Sequence, residues 1–287
     1  ARAMSVPALG SKRGCPRHAC WSASTCEDVP MNAKAPKKAV ILARGLGSRM
    51  RAESEAELTE EQQRAASAGV KAMISVGRPF LDHVMSAMAD AGFTDICLVI
   101  GPEHQMIRDY YDNLDTSRIN ISYAIQEEPL GTADAVLAAE EFAGDDPILV
   151  VNSDNYYPAK SLALLAQADA SAVLGFDRES LFAKANIPRE RLAAFSLLET
   201  DEDGNMVDIV EKPSATDMER LGEDALISMN AWMFTPKIFE AAKNIELSPR
   251  GELEIQSAVR KAIADGEVFS VLPTDDCVLD LSCRDDI

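Results

Sequence analysis

The residues best suited to chemistry in this chain lie in AVILARGLGSRMR, residues 39–51. Gly45 and Gly47 follow an apolar run. A turn with no Cβ at those positions lets backbone N–H groups approach an anion and cradle it. Arg49 and Arg51 come next, and a planar guanidinium matches phosphate oxygens bidentately. No Gly-Lys-Ser/Thr follows and no third glycine completes a dinucleotide fingerprint, so the turn is neither a P-loop nor a Rossmann signature. Asp154 and Asp280 lie at the ends of later apolar runs. Two aspartates near a phosphate turn suit Mg2+, which takes few hard oxygen ligands and lets substrate phosphates complete its octahedron. Arg49, Lys71 and Lys212 are placed to neutralise charge on a reacting phosphate. Each also has a plainer reading: an ordinary strand-to-helix turn, an aspartate capping a turn, a solvated lysine before Pro213.

Composition narrows the field. The 287 residues suffice for one large or two small domains with a sizeable core. A 47% hydrophobic and 26% charged content is that of an ordinary globular protein. The net charge of -19 argues against nucleic acid as a partner, while leaving room for a local basic pocket. No apolar run approaches a membrane span, so no membrane partner is expected. The six cysteines show no paired metal-binding spacing; Cys97, Cys277 and Cys283 read as reduced thiols of a cytoplasmic protein. Residues 1–30 lack periodicity and the apolar core of a secretory signal. They read as a disordered tail or upstream sequence, with the folded domain over 31–287.

The elements that position these residues alternate. Apolar runs at 39–42, 95–100, 119–125, 147–151 and 171–175 read as buried strands. Helices are expected around Leu81–Met88 positions with Gly92 as the stop, at 103–111, and from the turn 126–133 through Phe142. This βαβαβ rhythm predicts an α/β fold with a mostly parallel sheet covered by helices. Residues 52–69 are acidic and helix-favouring and read as a solvated insertion or lid. The second half is richer in strands: a hairpin over 193–210, a long strand at 226–235, a helix from Pro236, another opened by Gly251, and closing strands at 268–272 and 278–281. Ligands of open parallel sheets bind beyond the carboxyl ends of the strands. The glycine turn, Asp154, Gly175, Glu211, Lys212 and Asp280 fall at such ends.

LARGLGSRM resembles the LAGGxGTRL signature of sugar-1-phosphate nucleotidyltransferases, and VKAMISVGRPFLDHV resembles their PKxLxPVxxKPLLxH segment. QEEPLGTADAV, VVNSDN, IVEKP, SMNAWMF, SPRGELEIQSAV and CVLDLSCRDDI continue the similarity in family order over 38–287. The resemblance implies a GT-A-like, Rossmann-like fold with a mixed, mostly parallel sheet and a small β-rich sugar-binding part. It implies the reaction of an NTP with a sugar 1-phosphate to give an NDP-sugar and pyrophosphate, with Mg2+ held by Asp154 and Asp280. Gly45, Gly47 and Arg49 would hold the triphosphate. Lys71 would contact the reacting phosphates. Gln126 and Gly131 would read the base, the amide offering a paired donor and acceptor. Gly175, Glu211 and Asn230 would hold the sugar, and Lys212 its phosphate. UTP or dTTP with a hexose 1-phosphate is the favoured pair, and a homo-oligomer is compatible with the sequence.

There are departures. Arg44 replaces a small residue, Asn152-Ser153 precedes Asp154 where a glycine is usual, and Gln256-Ser257 stands where Thr-Asp is common. The chain ends just after the second aspartate, where relatives continue, so C-terminal truncation is expected. A non-catalytic, nucleotide-sugar-sensing homologue is the alternative. Retention of Arg49, Lys71, Asp154, Lys212 and Asp280 favours catalysis. A cytidylyltransferase acting on a non-sugar phosphate is disfavoured by EKP and RGELEI.

Overall fold

The computed structural model describes residues 37–45, 47–51, 58–192 and 195–287. The chain divides into a unit Ala1–Met31 and a unit Asn32–Ile287, and every described residue belongs to the second. The expectation of a tail over 1–30 lies outside the described residues.

The strand Lys38–Leu42 is apolar from Ala39 onward because both of its faces are covered there. Ala39 and Ile41 enter one core, and Val40 enters the other. Asp95–Ile100 and Ile148–Asn152 repeat the alternation. Ile96, Leu98, Leu149 and Val151 join the first core; Cys97, Val99, Ile148 and Val150 join the second. Burial pushes the Cys97 thiol up to about 11. Phe80–Asp90 covers the first face with Leu81, Val84, Met85 and Met88, the residues its spacing singled out. Thr132–Ala138, Lys237–Lys243 and Ile255–Ala264 cover the second. The result is a three-layer α/β sandwich. The helix expected to run through Phe142 breaks at Ala139, where Glu140–Ala143 begins.

Among the described residues the main sheet has nine strands. Lys38–Leu42 pairs in parallel with Asp95–Ile100 on one side and Ile148–Asn152 on the other, and Asp95–Ile100 pairs in parallel with Asn120–Ile125. The first strand therefore sits where the chain reverses its direction of travel across the sheet, the place where such sheets open a ligand crevice. The rest is mixed. Ile227–Phe234 runs antiparallel to Ile148–Asn152, to Ser171–Phe176 and to Leu197–Thr200, and Leu197–Thr200 forms the expected hairpin with Met206–Val210. Phe269–Thr274 closes the sheet parallel to Ser171–Phe176.

Of the expected insertion 52–69, residues 52–57 lie outside the described set. Glu60–Ala68 is a helix with a Thr59–Gln62 capping box and a left-handed Gly69 cap. It is not simply solvated: Ala65 and Ala66 are buried, and Gln62 Nε2 donates to the Ser75 carbonyl at 2.8 Å.

Trp232 anchors the join between the parallel and antiparallel parts. It is 1% exposed and stacks on Phe234 with ring centroids 5.5 Å apart. Trp232→Ala should lower unfolding free energy by about 3–5 kcal/mol in urea titration, by lost transfer energy plus a cavity. The half-exposed Leu164→Ala should move it by no more than about 0.5 kcal/mol.

Candidate active site

The parallel register brings the predicted residues together. Leu42 lies opposite Asn152 on one side and Val99 on the other, and Ile100 lies opposite Ile125. The segments that leave these strands, at Arg44, Ser153 and Gln126, therefore emerge side by side. They line a cleft of about 490 Å³ with Gly45, Gly47, Arg49, Lys71, Gly131, Asp154, Arg250 and Glu252. Four cations, Arg44, Arg49, Lys71 and Arg250, line it against two carboxylates, Asp154 and Glu252, so the pocket is cationic relative to the acidic protein around it, and low-dielectric walls focus such a field on an anion.

The two glycines of the turn differ. Gly47 has φ of 60°, and a Cβ there would lie 2.2 Å from the Gly69 carbonyl oxygen. The turn is thus pressed backbone to backbone on the end of the helix Glu60–Ala68. A Cβ on Gly45 would meet nothing within 4 Å, so Gly45 is open to the cleft. Arg49 is exposed on the helical turn Ser48–Arg51, whereas Arg51 turns away and donates to the Ala68 carbonyl at 2.8 Å.

Lys71 Nζ lies 2.7 Å from Asp154 Oδ2, and both side chains are largely shielded. Asp154 is tied to the second predicted metal ligand through the backbone. Leu281 N–H donates to its carbonyl at 2.8 Å, and Asp280 pairs with Asn155 across a two-stranded ladder. Asp280 is only 5% exposed. Its carboxyl is raised above the usual range by burial, then by the nearby Asp154 charge. Its Oδ1 accepts from Asn155 Nδ2 at 2.9 Å, its Oδ2 is ion-paired with Arg191 Nη2, and Asn186 brackets its backbone at 2.8 Å on both sides. Among the described residues no three His, Cys, Asp or Glu side chains converge as a metal cluster. Two carboxylates fit Mg2+ when phosphate and water supply the other ligands, so the donor set suits a magnesium–nucleotide complex.

Gln126 is buried, and both amide hydrogens are spent inside the protein, on the Gly131 carbonyl at 3.0 Å and Asp134 Oδ2 at 2.8 Å. This corrects the expectation of a paired donor and acceptor: the side chain offers a base only its carbonyl oxygen. A Cβ on Gly131 would lie 2.5 Å from the Leu253 carbonyl, because residues 130–133 and 253–255 are hydrogen-bonded to one another. That contact brings Arg250 and Glu252 to the cleft. Arg44 is held as well: its guanidinium donates to the Gln126 carbonyl and pairs with Glu103 at 3.3 Å.

The residues expected to hold the sugar sit elsewhere. Among the described residues, Lys212 and Asn230 are the non-glycine residues with positive φ, 45° and 57°, and strained backbone of this kind collects at functional sites. Asn230 lies where the register of Ile227–Phe234 shifts, so a bulge re-aims it. Its Oδ1 accepts from Trp232 Nε1 and Gln256 Nε2, each at 3.4 Å. The Glu211 carboxyl is raised by burial and then by Glu254. Gly175 is packed: a Cβ there would lie 2.7 Å from Leu226 Cδ1 and 2.8 Å from Val271 Cγ1. It lines neither the large cleft nor a second one of about 430 Å³ near Pro213, Phe182 and Phe195. Sequence reasoning missed Asn155, Asn186 and Arg191 around Asp280, and it missed Glu103 beside Arg44. Each acts over a long sequence separation, and only Asn155, the last residue of VVNSDN, belongs to a motif.

A crevice of phosphate-binding type at the reversal point of an α/β sheet defines a doubly wound, nucleotide-binding class of protein. A model of the Nucleotidyl transferase family matches residues 38–277, and the chain belongs to that family. It is 26% identical over 250 residues to the UTP–glucose-1-phosphate uridylyltransferase AglF of Haloferax volcanii, covering 87% of this chain and 93% of the relative. It is 30% identical over 237 residues to the glucose-1-phosphate thymidylyltransferase of Streptomyces antibioticus, covering 80% of this chain and 58% of the relative. A UDP-glucose pyrophosphorylase structure from Acinetobacter baumanii superposes with a TM-score of 0.66 at 18% identity, over 88% of this chain and 90% of that one; this establishes the shared GT-A-like fold. Among the described residues no helix is long and apolar enough to cross a membrane.

The two glycines give separable expectations. Gly47→Ala should cost about 1–3 kcal/mol of stability, because it combines an unfavourable φ with the clash on Gly69. Gly45→Ala should melt within about 0.5 kcal/mol of the parent. Thermal denaturation of the two purified variants measures the difference.

Proposed function

We propose that this chain is a sugar-1-phosphate nucleotidyltransferase. It would condense an NTP, UTP or dTTP by preference, with a hexose 1-phosphate to give an NDP-sugar and pyrophosphate. The observation that carries the reading is the meeting, in one cationic cleft, of the glycine turn, the Lys71–Asp154 pair and the Gln126 amide.

In this reading Gln126 Oε1 accepts the N3–H of uracil or thymine. Cytosine has an acceptor at that position and is disfavoured. Gly131 lines the cleft beside Gln126 with its backbone, its missing side chain being demanded by Leu253. Gly45, Gly47 and Arg49 bind the β- and γ-phosphates, which leave as pyrophosphate. Lys71 neutralises charge at the α-phosphate. Glu211 and Asn230 hold the sugar, with Lys212 on its phosphate, while Gly175 serves the packing against Leu226 and Val271. A sugar-phosphate oxygen attacks the α-phosphorus in line, the bond to the bridging oxygen breaks, and no covalent enzyme intermediate forms. Asp154 and Asp280 would hold Mg2+, which supplies Lewis-acid polarisation of the phosphates and orients them. Release of Lys71 from Asp154 as the metal–nucleotide complex binds would free its ammonium for phosphate.

Purified protein with Mg2+, assayed for pyrophosphate release with each of five NTPs against several sugar 1-phosphates, tests the reading. The expected result is turnover with UTP or dTTP and a hexose 1-phosphate; no turnover with any pair overturns it. Lys71→Ala and Asp154→Asn should each lower kcat at least about 100-fold, the scale seen when one electrostatic stabiliser is removed. Circular dichroism should report an intact fold in both.

A further inference from the structure

Arg191 is the charged residue closest in to the catalytic aspartates that nucleotidyl transfer leaves without a task. It lies on the short helix Arg189–Leu192. Its Nη2 pairs with Asp280, its Nη1 lies 3.3 Å from Asp286, and its Nε is buried with no partner among the described residues. The charge has a clear physical origin. Asp280 is buried and faces the Asp154 charge, and a carboxylate so placed needs a cation beside it. Asn155 donates to Asp280 Oδ1 and Arg191 pairs with Oδ2, so both oxygens already have a partner and the positive one sits on Oδ2.

We infer that Arg191 and a divalent cation compete for Asp280, with the arginine serving as the resident counter-ion that a metal must displace. The inference rests on the reading of Asp154 and Asp280 as a metal-holding pair. Asp154 is the more open of the two, at 22% side-chain exposure against 5%. A cation arriving alone would therefore meet one accessible carboxylate, already paired with Lys71, and one closed by Arg191. Binding of the free ion is weak for that reason. A displaced guanidinium keeps Asp286 as its anionic partner, and a cation arriving with a triphosphate is held by phosphate oxygens as well as by the two carboxylates. The protein then takes up metal and nucleotide together. Arg191 is a positioning residue in this scheme: it governs when Asp280 becomes available and takes no part in bond making.

The test is Mn2+ binding to the full chain without nucleotide, read from the electron paramagnetic resonance signal of the free ion. Arg191→Gln should bind Mn2+ at least ten-fold more tightly than the parent, and Arg191→Lys, which keeps the charge, should stay near the parent. Adding Asp280→Asn to Arg191→Gln should abolish the gain. An Arg191→Gln affinity equal to or below the parent's, or a gain that survives Asp280→Asn, overturns the inference. Because Arg191→Gln removes a buried pair and is at risk of misfolding, a second measurement uses the parent protein. The 15N–1H resonance of Arg191 Nε, assigned by its loss in Arg191→Lys, should shift on titration with diamagnetic Mg2+; a resonance unmoved at saturation also overturns the inference. These readouts need no turnover. A failed pyrophosphate screen with a positive Mn2+ result removes the proposed reaction and leaves the competition standing.

Discussion

The constraint on which the rest of the molecule depends is the parallel pairing of Lys38–Leu42 with a neighbour on each side. Its register sets Leu42 against Asn152 and Val99, and the next pairing sets Ile100 against Ile125, so four neighbouring strands end on the same side of the sheet. Three of the departing segments carry different chemistries: the glycine turn with Arg49, the Ser153-Asp154 corner, and Gln126. Burial on both faces holds the strand in register, since a one-residue slip would exchange Val40 for Ala39 and Ile41 between the two cores. The hydrophobic packing thus fixes the geometry of a polar site.

Within that frame the site is held by compensated charge. Lys71 meets Asp154, Arg191 meets Asp280 and Asp286, Arg44 meets Glu103, and Arg250 meets Glu254. In a chain of net charge -19 three of these pairs place a cation, Lys71, Arg44 or Arg250, on the wall of the cleft. A partly shielded pair is costly to break by deleting one member but easy to exchange for another partner of like charge. A phosphate or a divalent ion is such a partner. The pairs are therefore the elements expected to rearrange on loading.

Much of this was legible in the sequence where a local pattern determines the outcome. The doubly buried strands showed as unbroken apolar runs such as 95–100, and the helix Phe80–Asp90 showed as a 3.6-residue stripe. The phosphate turn, Lys71, Asp154, Gln126 and Gly131, each part of a local motif, line one cleft. What was not legible depends on contacts between distant segments. Gly45 and Gly47 look alike in sequence, yet only Gly47 is pressed on Gly69. Arg44 was unexplained until Glu103 and the Gln126 carbonyl were seen beside it, and Arg191 lies 89 positions from Asp280. Gly175 was assigned to the sugar, while its lack of a side chain is demanded by Leu226 and Val271. The donors of Gln126 could not be counted until their acceptors were known.

The central claim is that the cleft between the glycine turn, Lys71–Asp154 and Gln126 is where a nucleoside triphosphate binds. A crystal structure of the protein soaked with UTP and Mg2+ tests it most directly. The account predicts the uracil N3–H on Gln126 Oε1, the triphosphate over Gly45 and Arg49, and Lys71 moved from Asp154 to a phosphate oxygen. A nucleotide seated instead in the second cleft beside Phe182, Phe195 and Pro213, with Lys71 still on Asp154, would contradict it.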